Sequence, residues 1–144
     1  MLYFAYGSLV NREKLLELCP TAEPLRAARI THHALCFTGQ SQTWGGGTAT
    51  IGLAPACSLW GGLYEIDEEG RARVEASGSP DGYVWAFTRV EDANDEGEKV
   101  GLLVKVRDLE RTEPSSVYLE VLNSGWLQWG LDPDGMLRDI APTL

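Results

Sequence analysis

Phe4-Ala5-Tyr6-Gly7-Ser8-Leu9 places a glycine and a hydroxyl between a short apolar run and a helix-like stretch. A turn between strand and helix leaves main-chain N–H groups unpaired and aimed outward, and such groups can hold a carboxylate or a developing oxyanion. Gly7 equally serves a mere tight connection, since short glycine motifs are unspecific. Other reactive side chains are less suited to joint work. His32 and His33 are adjacent on an expected strand, so they point to opposite faces and cannot share one metal ion. His32 and Cys36 share a face and form a distant candidate for a nucleophilic pair. Cys19, Cys36 and Cys57 follow no CxxC spacing, which argues for reduced thiols rather than disulfides or zinc. Asp81, inside Pro80-Asp81-Gly82, reads as a turn residue.

The elements that must position these groups follow from pattern. Residues 2–5 read as a buried strand stopping at Tyr6-Gly7-Ser8, and Asn11 caps a helix ending at Pro20. Strands are expected at 29–37, 48–53, 58–66, 83–90 and 100–106, with Gly45-Gly46-Gly47 as a loop and Gly61-Gly62 as a bulge or close backbone approach. Asp67 caps a helical turn through Val74, a serine near Pro114 caps a longer helix through Trp126, and Asp132-Pro133 opens a last short one. Six strands with three helices and no βαβ beat predict an α+β fold, a mixed and strongly curved barrel-like sheet with flanking helices. Residues 1–144 are expected to form a single domain.

A formal charge of −9 without a basic cluster disfavours nucleic acid, and the five scattered tryptophans lack the basic interleaving of a single-strand groove. No run approaches the ~20 apolar residues of a membrane span, and the opening residues lack the form of a signal peptide. The expectation is a cytoplasmic protein without a membrane partner.

Five landmarks occur in order across nearly the whole chain: FAYGSL at 4–9, FTG at 37–39, WGGG at 44–47, WG with LYE at 60–65, and PSSVYLEVLNSGWLQWGL at 114–131. Together they resemble bacterial γ-glutamylcyclotransferase-like proteins. The resemblance implies a six-stranded barrel-like fold with a pocket over the YGS turn. It implies an intramolecular aminolysis in which the α-amine of a small γ-glutamyl compound attacks its own γ-carbonyl, giving 5-oxoproline and a free amine, without metal or cofactor. It assigns Tyr6, Gly7, Ser8 and Leu9 to a main-chain cradle for substrate oxygens, and Tyr83 and Tyr118 to the pocket.

The family's proton acceptor is a glutamate in a stretch reading roughly Leu-Asp, two variable residues, Glu-Gly. Counted without gaps from Leu63-Tyr64-Glu65, that glutamate falls on Gly78, and with one residue lost the gap is flanked by Ser77-Gly78. A shifted register assigns the role to Glu75. The alternative is a ligand-binding member of the same fold that has lost its base. Nothing in the sequence names the leaving amine or the oligomeric state.

Overall fold

The computed structural model describes residues 1–141, so the last three residues of the expected 1–144 domain lie outside it. Leu2–Ala5 forms β1, with three of its four residues buried because it is paired on both sides. It runs antiparallel to Thr48–Glu65 (β3), with Phe4 opposite Leu63, and parallel to Gly97–Lys105 (β5), with Tyr3 opposite Gly101. Glu23–Thr38 (β2) pairs with β3 along nearly its whole length, and Tyr83–Glu91 (β4) forms a hairpin with β5. The sheet closes as a barrel in the order β1-β3-β2-β4-β5.

Five strands therefore build the barrel, not the six expected, because stretches 48–53 and 58–66 belong to one strand. The cause lies at His32. Pairing passes from Thr31 opposite Ser58 to His33 opposite Leu53, so residues 54–57 stand across from His32 alone. His32 takes φ = 66° at this irregularity, and its Nδ1 bonds the Pro55 carbonyl at 2.9 Å. Proline carries no N–H for the ladder and fits where pairing is interrupted, so Pro55 looks like a strand break in the sequence. The imidazole of His33 likewise bonds a main-chain carbonyl, that of Thr31 at 2.8 Å.

Arg12–Leu18 (α1), Glu68–Gly78 (α2), Ser116–Gln128 (α3) and Pro133–Arg138 (α4) pack around the barrel. Each begins at an oxygen-bearing cap, which satisfies N–H groups that the first helical turn leaves unpaired. The Asn11 side chain accepts from Glu13 and Lys14, Asp67 from Gly70, Ser115 from Tyr118, and Asp132 from Asp134 and Gly135. Asn11 Nδ2 also donates to the Val121 carbonyl at 3.2 Å, which ties the start of α1 to α3. Helix α2 continues past the expected Val74 to Gly78.

Phe4, Leu15, Leu63, Tyr64, Tyr118, Leu122 and Trp126 are fully buried between α3, the first turn and the barrel. Each large apolar side chain so buried contributes about 1.5–3 kcal/mol. The Gly61-Gly62 pair is a close approach rather than a bulge, since the pairing register runs through it unbroken. A Cβ at Gly62 would overlap the Trp129 indole. No helix among the described residues is long and apolar enough to cross a membrane.

Candidate active site

The turn after β1 is held from behind. Tyr64 Oη donates to the carbonyls of Leu9 and Val10 at 3.2 and 3.3 Å, and Trp129 Nε1 donates to Val10 O at 2.8 Å. Val10 and Asn11 donate their amides back to the carbonyls of Gly7 and Ser8, which winds Ser8–Val10 into one 3₁₀ turn. The amides of Gly7, Ser8 and Leu9 find no acceptor among the described residues. With the carbonyls drawn toward Tyr64 and Trp129, these three donors are left for a ligand.

Gly7, Ser8 and Leu9 line a hollow of about 70 Å³ with Tyr3, Tyr6, Trp44, Thr48, Ala49, Ser77, Gly78, Asp81, Tyr83, Leu103 and Tyr118. Room on that scale admits a few water-sized groups. The structure thus brings Tyr6, Gly7, Ser8, Leu9, Tyr83 and Tyr118 around one space. Gly7 has φ of −101°, outside the left-handed region, so its main chain does not demand glycine. Space does not demand it either, for a Cβ there would stand 3.5 Å from Tyr118 Oη and 3.6 Å from Ala49 Cβ, ordinary van der Waals contact.

The four phenols divide by what their hydroxyls already do. Tyr6 donates to Leu103 O at 2.5 Å, and Tyr83 to the Ala49 carbonyl with Thr48 Oγ1 at 3.1 Å, so both hydroxyl protons are engaged within the protein. Tyr118 Oη accepts from Ala49 N–H at 2.9 Å, which leaves its own proton to donate. Tyr3 is 3% exposed, and its hydroxyl has no partner among the described residues. Burial raises the pKa of all four, with repulsion from neighbouring phenolates adding to it at Tyr3, Tyr6 and Tyr83 and the charge of Asp81 adding to it at Tyr118. They therefore stay neutral and unable to act as bases near neutral pH, and Tyr3 and Tyr118 keep a proton free to donate.

Glu75 does not join them. It lies on α2 with its carboxylate beside Arg71 Nε at 3.4 Å, its side chain 41% exposed, and it is not among the residues lining the hollow. Helical geometry explains the offset, since three residues separate Glu75 from Gly78, about 4.5 Å along the axis. The acid that does line the hollow is Asp81. It ends a 3₁₀ turn at Ser79–Asp81, closed by Gly82 at φ = 86°, so the turn reading is accurate but incomplete. The turn aims the carboxylate inward, where Oδ2 accepts from Ser41 Oγ at 3.0 Å. Its negative charge contributes to the raised pKa of Tyr83 and Tyr118, which places it in their field.

Beneath Tyr83 lies Lys105, 7% exposed, its Nζ 5.6 Å from the ring centroid and donating to Thr38 O at 2.6 Å and Thr38 Oγ1 at 3.3 Å. Burial lowers its pKa, while the charges of Asp81 and Asp108 oppose that shift. Sequence reasoning missed Tyr3 and Lys105 and read Asp81 only as a turn residue. Asp81 carries the one signal that was available, an acid two residues before the pocket tyrosine Tyr83.

No family model matches the chain. Human gamma-glutamylcyclotransferase is 27% identical over 135 residues, covering 90% of this chain and 72% of that protein. A solved structure of a gamma-glutamyl cyclotransferase superposes with a TM-score of 0.87 at 27% identity, over 99% of this chain and 88% of that one. A yeast gamma-glutamyl cyclotransferase specific to glutathione has the same fold, with a TM-score of 0.68 at 12% identity over 97% of this chain and 95% of its own. Across nine-tenths of its sequence and nearly all of its fold, the chain is similar to gamma-glutamylcyclotransferases.

Proposed function

We propose that the chain converts a small γ-glutamyl amine or γ-glutamyl amino acid to 5-oxoproline and the free amine, with Asp81 as proton acceptor. The observation that carries the reading is one hollow lined by a carboxylate and by three main-chain amides without acceptors. The amides of Gly7, Ser8 and Leu9 take the substrate's oxygens. Asp81 removes a proton from the substrate ammonium, and the freed amine attacks the γ-carbonyl carbon. A carbon–nitrogen bond closes the five-membered ring while negative charge collects on the former carbonyl oxygen. The cradle and the Tyr118 hydroxyl stabilise that charge by donating to it. As the intermediate collapses and the original amide bond breaks, the proton held by Asp81 passes to the departing nitrogen, and the freed carboxylate takes the extra proton from the positively charged ring nitrogen and hands it to the released amine, which leaves as an ammonium.

A sparse site suffices because holding amine and carbonyl in one molecule supplies much of the rate enhancement. Asp81 replaces Glu75 as the candidate base because it lines the hollow and Glu75 does not. The experiment is release of 5-oxoproline from a panel of γ-glutamyl compounds by wild type, Asp81→Asn and Glu75→Gln. Asp81→Asn should lose about a hundredfold or more in kcat, the scale of general-base catalysis, while Glu75→Gln stays near wild type. Binding of these compounds without turnover by the wild-type protein would leave a ligand-binding module instead.

A further inference from the structure

Asp81 is not left to find its own orientation. Ser41 Oγ donates to Asp81 Oδ2 at 3.0 Å and at the same time accepts the Trp44 amide at 3.1 Å. Ser41 itself is 6% exposed and fixed at both main-chain groups, donating to Gly46 O at 2.9 Å and accepting from Gly45 N at 2.8 Å. The far side of the same loop is pinned as well, since Ser115 Oγ donates to the Trp44 carbonyl at 2.7 Å while capping the helix that carries Tyr118. A continuous chain of hydrogen bonds thus runs from the cap of α3 through Trp44 and Ser41 to one oxygen of Asp81.

We propose that Ser41 is the positioning residue for Asp81, occupying Oδ2 so that Oδ1 is the oxygen presented to the substrate amine. The proposal rests on the reading of Asp81 as proton acceptor, and it adds which atom does the work and what aims it. A carboxylate attached to a turn has two rotatable bonds and two equivalent oxygens. One directional hydrogen bond from a buried, doubly anchored serine removes both freedoms. The other groups in the field of Asp81 are Tyr83 and Tyr118, both neutral, and the buried cation Lys105, none of which makes a hydrogen bond to it.

The test compares wild type, Ser41→Ala, Ser41→Thr and Asp81→Asn. Ser41→Ala should lower kcat about tenfold or more with KM unchanged, because small misplacement of a reacting group is expensive in rate and leaves the cradle intact. The acid limb of its pH–rate profile should move relative to wild type, and Ser41→Thr, which keeps the hydroxyl, should restore both. A second measurement needs no turnover. The Asp81 carboxyl carbon, identified in carbon-13 NMR by its loss in Asp81→Asn, should shift in Ser41→Ala and return in Ser41→Thr. An unshifted resonance, or a Ser41→Ala defect confined to KM, overturns the proposal. A wild-type protein without 5-oxoproline release would instead refute the catalytic reading, with the NMR comparison still deciding whether Ser41 orients Asp81.

Discussion

Trp129 lies directly on Gly62, so closely that a methyl group at position 62 would overlap the indole ring. The same indole donates through Nε1 to the Val10 carbonyl at 2.8 Å, behind the cradle. A glycine on β3 therefore helps set where the ligand-facing amides point. Gly62→Ala should cost about 1–3 kcal/mol by overpacking, read as a lowered urea midpoint with an unchanged slope. It should also weaken binding of γ-glutamyl compounds, although residue 62 does not line the hollow.

Tyr118→Phe should act twice. Loss of the hydroxyl removes a donor to the oxyanion, expected to lower kcat about a hundredfold. It also strands the Ala49 N–H, at a cost of about 1–3 kcal/mol in stability. Steady-state kinetics and chemical denaturation of the same preparation separate the two effects.

Tyr3→Phe should show the opposite balance. Because the Tyr3 hydroxyl bonds to no described group, deleting it sacrifices no internal partner, and the denaturation midpoint should hold or rise. Affinity should fall several-fold if that hydroxyl meets the substrate, the scale of one neutral hydrogen bond. Calorimetric titration with a γ-glutamyl compound on an Asp81→Asn background measures this without turnover.

Asp67 gives a pH-dependent contribution to stability. The Gly70 amide first, then the Thr21 hydroxyl at 3.1 Å, favour its charged form and lower its pKa. Folded chain then binds the proton at lower pH than unfolded chain. The contribution is complete above the unfolded carboxylate value of about 3.9 and disappears as pH falls through the lower folded value. Asp67→Ala should melt below wild type at neutral pH, and the gap should close on acidification.

What the sequence disclosed divides along a physical line. Asn11, Asp67 and Asp132 announced their helices because a cap is a local event, completed within three residues of its own position. The YGS turn was legible for the same reason. Stretches 48–53 and 58–66 read as two strands because the interruption between them is bridged by His32 on another strand, and nothing near it in sequence records that partner. Glu75 and Asp81 are the instructive pair. Counting along the chain ended on Gly78 and only a shifted register reached the former, whereas the turn closed by left-handed Gly82 places the latter in the wall of the hollow. A turn residue on the surface and one in a pocket wall have the same local signature, and only the opposing serine from a distant loop tells them apart.

The paired run of β2 with β3 continues beyond the His32 irregularity to Thr38 opposite Thr48, and the glycine-bearing loop with Trp44 hangs from its tip. The roof of the hollow is thus a beam with two supports, for residues 110–115 brace it on the other side through Gly39 N to Glu110 O, Gly47 N to Glu113 O and Ser115 Oγ to Trp44 O. Residues added or removed at 54–57 would set one support of that beam against the other and shift Trp44 and Ser41 relative to Asp81, from a place that touches none of the hollow.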